Sequence, residues 1–255
     1  MRIGFDAKRA FTNNTGLGNY SRDTIQILSK FYKEDKFFLY TPKKTQNSRL
    51  NFIDTQPNIY VRTPIRILSK LIKAYWRSRS IVKDLFNTKI DIYHGLSHEI
   101  PLGIEKTNIK SVVTIHDLIY IRYPQLFSNI DRKIYDKKFR SACKRANKII
   151  AISQQTKKDI IDFFSIPETK IKVIYQGCNH VFQKKYSTEK KKEIKEKYQL
   201  FDNYLLYVGT IEERKNLLTL LKSLKQLPKH NLLIIGDGKS YKDKCINYVI
   251  ENNNN

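Results

Sequence analysis

The sequence predicts an α/β fold, a parallel sheet covered by helices and followed by the beginning of a second unit of the same kind. Three observations lead there. Short apolar runs alternate with longer amphipathic stretches, the order that builds strand-helix-strand units. Several runs, such as 111–115 (SVVTI) and 148–152 (KIIAI), are almost continuously apolar, as strands buried on both faces must be. The composition is that of a globular chain, with 255 residues, 40% hydrophobic, 28% charged, and only 9 Gly and 7 Pro. Collagen-like, coiled-coil and disordered classes are thereby excluded.

Taken in order, residues 2–6 form the first predicted strand. Gly16 to Asn19 then lead into a helix with Ile25, Ile27, Leu28 and Phe31 on its apolar side. Further strands are predicted at 37–40, 59–61, 90–94, 111–115, 148–152 and 171–175, separated by helices of which 64–86, 131–146 and 154–164 are the clearest. Ser153 is a suitable N-cap for the last, because its hydroxyl can accept a free N–H of the first turn. Residues 183–198 are rich in Lys, with Ile194 as their one aliphatic residue, and read as a linker running into a solvated helix. A new unit follows: a strand at 204–208, a polar loop at 209–216, a helix at 217–224, a strand at 232–235 closed by Gly236, Asp237 and Gly238, and a helix at 241–251. The expected domains are therefore a Rossmann-like domain over 1–180, a Lys-rich linker and helix over 181–203, and a partial second domain of the same kind over 204–255. Two strands and two helices leave a half-built core, so the chain is expected to stop inside its second domain.

Charge and cysteine usage narrow the setting. Lys and Arg number 48 against 24 Asp and Glu, a formal charge of +24 that attracts phosphate on a nucleotide, a lipid or a nucleic acid. A general compositional bias toward Lys, Ile and Asn would give the same excess. Cys143, Cys178 and Cys245 lie far apart, which suits a reduced compartment better than a disulfide framework. No apolar run approaches the roughly 18 residues of a membrane span, and a cytoplasmic chain is expected. Between Arg62 and Lys83 stand seven basic residues, Arg62, Arg66, Lys70, Lys73, Arg77, Arg79 and Lys83, and no acidic one. At about 100° per residue, Arg66, Lys70, Lys73 and Arg77 share one sector of a helix, opposite Ile65, Leu68, Leu71, Ile72, Tyr75, Val82 and Phe86, with Trp76 at the edge. Such a stripe would hold the protein at the inner face of an anionic membrane. The alternative is a helix docked on the sheet with its basic side in water.

Four segments carry a resemblance: 16–20 (GLGNY), 112–117 (VVTIHD), 145–153 (RANKIIAIS) and 207–217 (YVGTIEERKNL). Together and in this order they resemble the retaining GT-B glycosyltransferases of family 4, in the mannosyltransferase-like branch that pairs Thr210 with Arg214. The resemblance implies a metal-independent hexosyltransferase in which 1–180 is the acceptor-side Rossmann-like domain and 204–255 part of the nucleotide-sugar-binding domain, donor and acceptor meeting in the cleft between the two. It implies a nucleoside diphosphate sugar, with GDP-mannose preferred, as donor substrate, no cofactor, and a lipid-linked or saccharide acceptor in polysaccharide or glycoconjugate synthesis. Retention would place attack on the face of departure, with a leaving phosphate oxygen as base.

The residues themselves suit these roles. Gly16 and Gly18, with Asn19, sit at a strand-to-helix turn, where a missing Cβ admits a phosphate to backbone N–H groups; a plain tight turn needs the same glycines. His116 and Asp117 follow directly on an apolar strand, at the carboxyl end where parallel sheets bind ligands. The resemblance makes His116 a contact of the transferred sugar and Asp117 a second candidate, although an Asp at this point also starts turns. His94 and His98 flank another strand end and are candidates on the acceptor side. Gly209, Arg214 and Lys215 would bind the donor, the fork and the point charge clamping its diphosphate; a solvated surface pair is the alternative.

Some patterns are missing from the sequence. No Asp-x-Asp, His-Glu-x-x-His, Cys-x-x-Cys or P-loop occurs, so no metal ligand set is expected. Nor do two glutamates stand with seven residues between them, the pair that the family carries in its donor domain, and the chain alone is expected to be inactive. Two other classes compete. A nucleic-acid-binding protein would interleave its 16 Tyr and 13 Phe with Lys and Arg on an exposed strand, whereas they fall mostly in apolar runs. A dinucleotide enzyme would need the full Gly-x-Gly-x-x-Gly, which the first loop lacks.

Overall fold

The computed structural model describes residues 1–45, 47–64 and 70–252. The chain forms two compact units, Met1–Asn179 and His180–Asn255. The first has the predicted α/β architecture. Its elements run β1 (Arg2–Asp6), α1 (Lys8–Thr12), α2 (Gly16–Phe31), β2 (Lys36–Tyr40), β3 (Ile59–Arg62), α3 (Lys70–Tyr75), a π-helical turn (Trp76–Ser80) and α4 (Ile81–Asn87). They continue with β4 (Ile92–Gly95), β5 (Lys110–Ile115), α5 (Ile119–Arg122), α6 (Asn129–Arg145), β6 (Lys148–Ala151), α7 (Gln154–Phe164) and β7 (Ile171–Val173). The seven strands form one parallel sheet in the order β3-β2-β1-β4-β5-β6-β7. The chain winds outward from β1 to β3, then returns to place β4 on the other side of β1. That reversal opens a crevice at the carboxyl ends of β1 and β4, where ligands of such sheets bind.

Alternation along β2 shows why both faces are covered. Phe37 and Leu39 enter a core with Phe5, Phe11, Ile25 and Leu96, while Phe38 and Tyr40 enter the opposite core with Tyr93, Ile81, Leu85 and Val113. In α2 the buried positions are Gly18, Ser21, Arg22, Ile25 and Ser29, a stripe at helical spacing, whereas the predicted core residues Ile27 and Phe31 are exposed. Small residues line the inward face there because α2 packs closely on α1, and Arg22 inserts between them, donating to the carbonyls of Ala10 and Asn13, each at 2.8 Å.

The predicted helix 64–86 differs more. Ile65, Arg66 and Leu68 lie outside the described residues, and from Lys70 onward the helix is interrupted by the π turn. Its buried side chains are Trp76, Ile81 and Leu85, spaced by five across the wide turn and then by four. The extra residue rotates the faces relative to a uniform helix. Leu71 and Phe86, 82% and 71% exposed, are consequently outside the core, and Arg77 leaves the expected basic stripe for the interior. Ser153 caps α7 as predicted, accepting the Thr156 N–H at 3.0 Å, and Ser128 caps α6 through Asp131.

The second unit consists of α8 (Thr188–Lys197), with no buried residue, then β8 (Tyr204–Val208), α9 (Leu217–Leu224), β9 (Asn231–Ile235) and α10 (Ser240–Asn252). β8 and β9 are parallel, and Ile211, Leu217, Leu221 and Cys245 form a small core. Leu206, Val208 and Ile235 on the strands are exposed.

Candidate active site

Three histidines converge at the carboxyl edge of the first unit, brought there by different elements. His94 lies in β4, opposite Phe5 of β1 and Val112 of β5. His98 is in the loop after β4, and His116 is the first residue beyond β5. His94 Nε2 is 2.8 Å from Thr114 Oγ1, which is 3.0 Å from the Tyr20 hydroxyl of α2. The Tyr20 ring stands edge-on to His116 with centroids 4.7 Å apart. His98 lies flat on Phe139 at 4.1 Å and 5.1 Å from the His116 ring. Its backbone is left-handed, φ +62°, and its N–H donates to the Thr114 carbonyl at 2.9 Å.

These contacts set the protonation states. Burial holds the His94 ring down at about 4, with His116 adding to the effect. Burial likewise lowers His98, helped by His116 and Arg9, and lowers His116 against the opposing pull of the Leu96 carbonyl. All three rings are therefore neutral at pH 7. His116 Nε2 lies 2.9 Å from that carbonyl, which can only accept, so Nε2 carries the proton and Nδ1 holds the lone pair. Nδ1 is 3.3 Å from the Gln176 amide nitrogen. The site thus offers a neutral imidazole acceptor at a strand end, fixed by its other nitrogen.

The remaining candidates in this unit divide. Asp117 is exposed, and its carboxylate accepts the Ile119 N–H at 3.3 Å, which starts the turn into α5; on His116 it acts through its charge, pulling the ring's pKa up against burial. Gly18 does not offer its N–H outward, since Asn13 Oδ1 already accepts it at 3.0 Å. A Cβ on Gly18 would stand 1.8 Å from the Asn13 carbonyl oxygen, so this glycine serves the packing of its own loop. Asn19 is likewise engaged, accepting from Arg22 Nη2 at 2.6 Å. Gly16 is the open position: it begins α2, is exposed, and has nothing within 4 Å of a Cβ placed on it. A further cluster was invisible in the sequence. Arg77 donates to Asp6 at 2.8 and 3.1 Å through Nε and to Glu99 at 3.0 Å through Nη1, joining residues far apart in the chain. Tyr20, Thr114 and Gln176 were also missed; a hydroxyl or an amide carries no signal of its role until the fold gives it a partner.

In the second unit Gly209 and Lys215 come together at the carboxyl end of β8. Gly209 has φ +152°, and a Cβ there would lie 3.0 Å from Lys215 Nζ, so the ammonium rests over bare backbone. Gly236 allows this arrangement, because a Cβ on it would be 1.9 Å from the Gly209 carbonyl oxygen. Arg214 is instead paired with Glu212. Among the described residues, no group of three or more His, Cys, Asp or Glu could hold a metal ion, and no helix is long and apolar enough to cross a membrane.

Over 270 residues, 98% of this chain and 68% of the relative, the chain is 24% identical to O-antigen chain mannosyltransferase B of Escherichia coli. A stretch of 143 residues, 53% of the chain and 17% of the relative, is 31% identical to the serotype-specific mannosyltransferase WbdA of Escherichia coli. Among solved structures, HepE of Anabaena in complex with UDP and glucose superposes with a TM-score of 0.68 at 16% identity, over 98% of this chain and 66% of its own. A glycosyltransferase from Rickettsia africae gives 0.63 at 18% identity, over 98% and 63%. These structures share the fold, and the chain spans about two thirds of their length and far less of WbdA. Residues 16–182 match the family model and include the glycine turn, the His116 strand end and the segment 145–153. On that match this chain belongs to Glycosyltransferase Family 4.

Proposed function

We propose that this protein takes part in retaining transfer of a hexose, preferentially mannose, from a nucleoside diphosphate sugar to a lipid-linked or saccharide acceptor in polysaccharide or glycoconjugate synthesis. The observation that carries this reading is His116, a neutral imidazole whose Nδ1 lone pair stands at a parallel strand end within the family match. Nδ1 would accept a hydroxyl of the transferred sugar and orient its ring; Gln176 would yield to it or share it. Lys215 over Gly209 would neutralise the leaving diphosphate, a charge that grows in the transition state. Arg214 would add its fork once it exchanges Glu212 for phosphate. The preference for mannose, and for GDP as its carrier, is supported by the names of the two Escherichia coli relatives and by the Thr210 and Arg214 pair. A nucleic-acid-binding role is not favoured by any relative.

The test is transfer of radiolabelled sugar from a panel of nucleoside diphosphate sugars, with the anomeric configuration of the product read by NMR. Because the chain holds no pair of glutamates separated by seven residues, its own turnover is expected to be poor, and donor binding is measured beside transfer. Retained configuration and a loss of about 10²-fold on His116→Ala or Lys215→Ala support the reading. Neither binding nor transfer of any donor, or wild-type rates in both variants, would overturn it. We also propose cytoplasmic residence with peripheral binding to anionic membrane through α3 and the turns after it, where Leu71 and Tyr75 are exposed beside Lys73 and Arg79. Glu at Lys73, Arg79 and Lys83 should abolish salt-sensitive co-sedimentation with anionic vesicles; unchanged binding would exclude this segment.

A further inference from the structure

The carboxyl end of β1 carries charge that the protein itself does not neutralise. Asp6 is taken by Arg77, whose Nη2 approaches its Oδ2 to 2.6 Å, and also accepts the Lys8 backbone N–H at 3.3 Å. Glu99 is shared between Arg77 at 3.0 Å and Lys138 at 3.2 Å. Both carboxylates are thus spoken for, while the side chains of Lys8 and Arg9, each only partly exposed, make no hydrogen bond or ion pair among the described residues. Four cations, Lys8, Arg9, Arg77 and Lys138, face two carboxylates, and two positive charges remain. Burial, Arg77 and Arg9 shift Lys8 down, and the opposing pull of Asp6 and Glu99 does not offset them.

A second observation points to a ligand at the same place. His98 neighbours Glu99 in the chain, lies within electrostatic reach of Arg9, and is only 8% exposed. Its Nδ1 is buried with no hydrogen-bond partner, although its backbone is held in the left-handed region and its ring is fixed against Phe139. Buried polar atoms are rarely left so, and the exceptions call for a missing partner. His98 also stands 5.1 Å from the ring of His116.

We propose that Lys8, Arg9 and His98 form a subsite for a phosphate group of the acceptor, beside His116. The inference rests on the glycosyl-transfer reading and narrows it: the acceptor is a phosphate-bearing molecule, of the class of a glycan or prenol diphosphate, and not a neutral saccharide. The surplus of two charges matches a diphosphate. Arg77 is the positioning residue that ties Asp6 to Glu99 and so holds the Lys8 and His98 segments together.

The test uses the 255-residue chain carrying Arg214→Ala and Lys215→Ala, which removes the diphosphate clamp of the second unit. Inorganic pyrophosphate, a short water-soluble prenyl diphosphate and anionic phospholipid vesicles are titrated separately, with binding followed by calorimetry and the His98 ring by NMR. Pyrophosphate and prenyl diphosphate should both bind and shift the His98 signals. Lys8→Gln and Arg9→Gln should each weaken them tenfold or more, Arg9→Lys should restore part of the loss, and Lys89→Gln, at the opposite edge of the sheet, should change nothing. Equal affinity in all variants, a still His98 signal, or binding to vesicles alone would overturn the subsite. Transfer activity with unaltered pyrophosphate affinity in the variants would remove the subsite and leave the transferase; loss of affinity with neither binding nor transfer of any donor would do the reverse.

Discussion

Two glycines two residues apart in one turn have opposite tasks. Gly18 is held against the Asn13 carbonyl, and Gly18→Ala must push a backbone oxygen that stands 1.8 Å from the new carbon. The expected loss is about 1–3 kcal/mol, the range for overpacking. Gly16 meets nothing, so Gly16→Ala should gain about 0.5–1 kcal/mol through reduced freedom of the unfolded chain. Urea denaturation of the two variants distinguishes them, and equal effects would show that the loop is not packed as described. The histidines bring a pH dependence. His94 titrates near 4 when folded and near 6.5 when unfolded, so the unfolded state binds its proton first as pH falls. Its contribution to stability is whole above about pH 6.5 and lost on descending to about 4, on the order of 3 kcal/mol. His98 and His116, also lowered, act in the same direction. His94→Gln should flatten the acid limb of a stability profile measured between pH 7 and 4.

At the scale of elements, the π turn at Trp76–Ser80 decides which face of its helix is inside. A uniform helix would leave Arg77 in solvent beside Lys73. The wide turn buries it between Asp6 and Glu99, its side chain 13% exposed and its guanidinium held charged by both carboxylates. Arg77→Ala leaves two carboxylates without their partner and should cost about 3–5 kcal/mol, whereas Arg77→Lys keeps the charge, loses the fork and should fall between. A melting series on the two variants checks the order. Ser153→Ala, which removes a cap legible in the sequence, should cost about 1 kcal/mol. The cap was readable because its partner lies three residues away; Arg77 was not, because its partners are 71 residues before and 22 after it.

Across the whole molecule, stability is expected to be uneven. The first unit buries seven strands under helices on both faces, whereas the second exposes Leu206, Val208 and Ile235 on a two-stranded sheet. Amides of β8 and β9 should therefore exchange with deuterium at least tenfold faster than those of β1, β4 and β5. Equal protection in both sheets would mean that the second unit is covered in solution by something outside its own core.

Periodicity and local chemistry sufficed for much of this protein. The alternation of apolar runs with helices fixed the α/β class, the strands of both units fell within a few residues of their predicted places, and His116 stood at a strand end because an apolar run stopped there. Such signals are local, set by the 2.0 and 3.6 periods and by caps within a turn. Only the tertiary structure revealed that His94, His98 and His116 meet, that Gly18 is engaged by Asn13 while Gly16 stays open, that Asp117 belongs to a turn, and that Arg77 is interior. The histidines and Arg77 depend on partners supplied by other strands and loops, or on one extra residue in a helical turn, and the crossing that sets β4 beside β1 brings those partners within reach; Gly18 and Asp117 have partners within five residues, but only the folded loop shows which group each one engages.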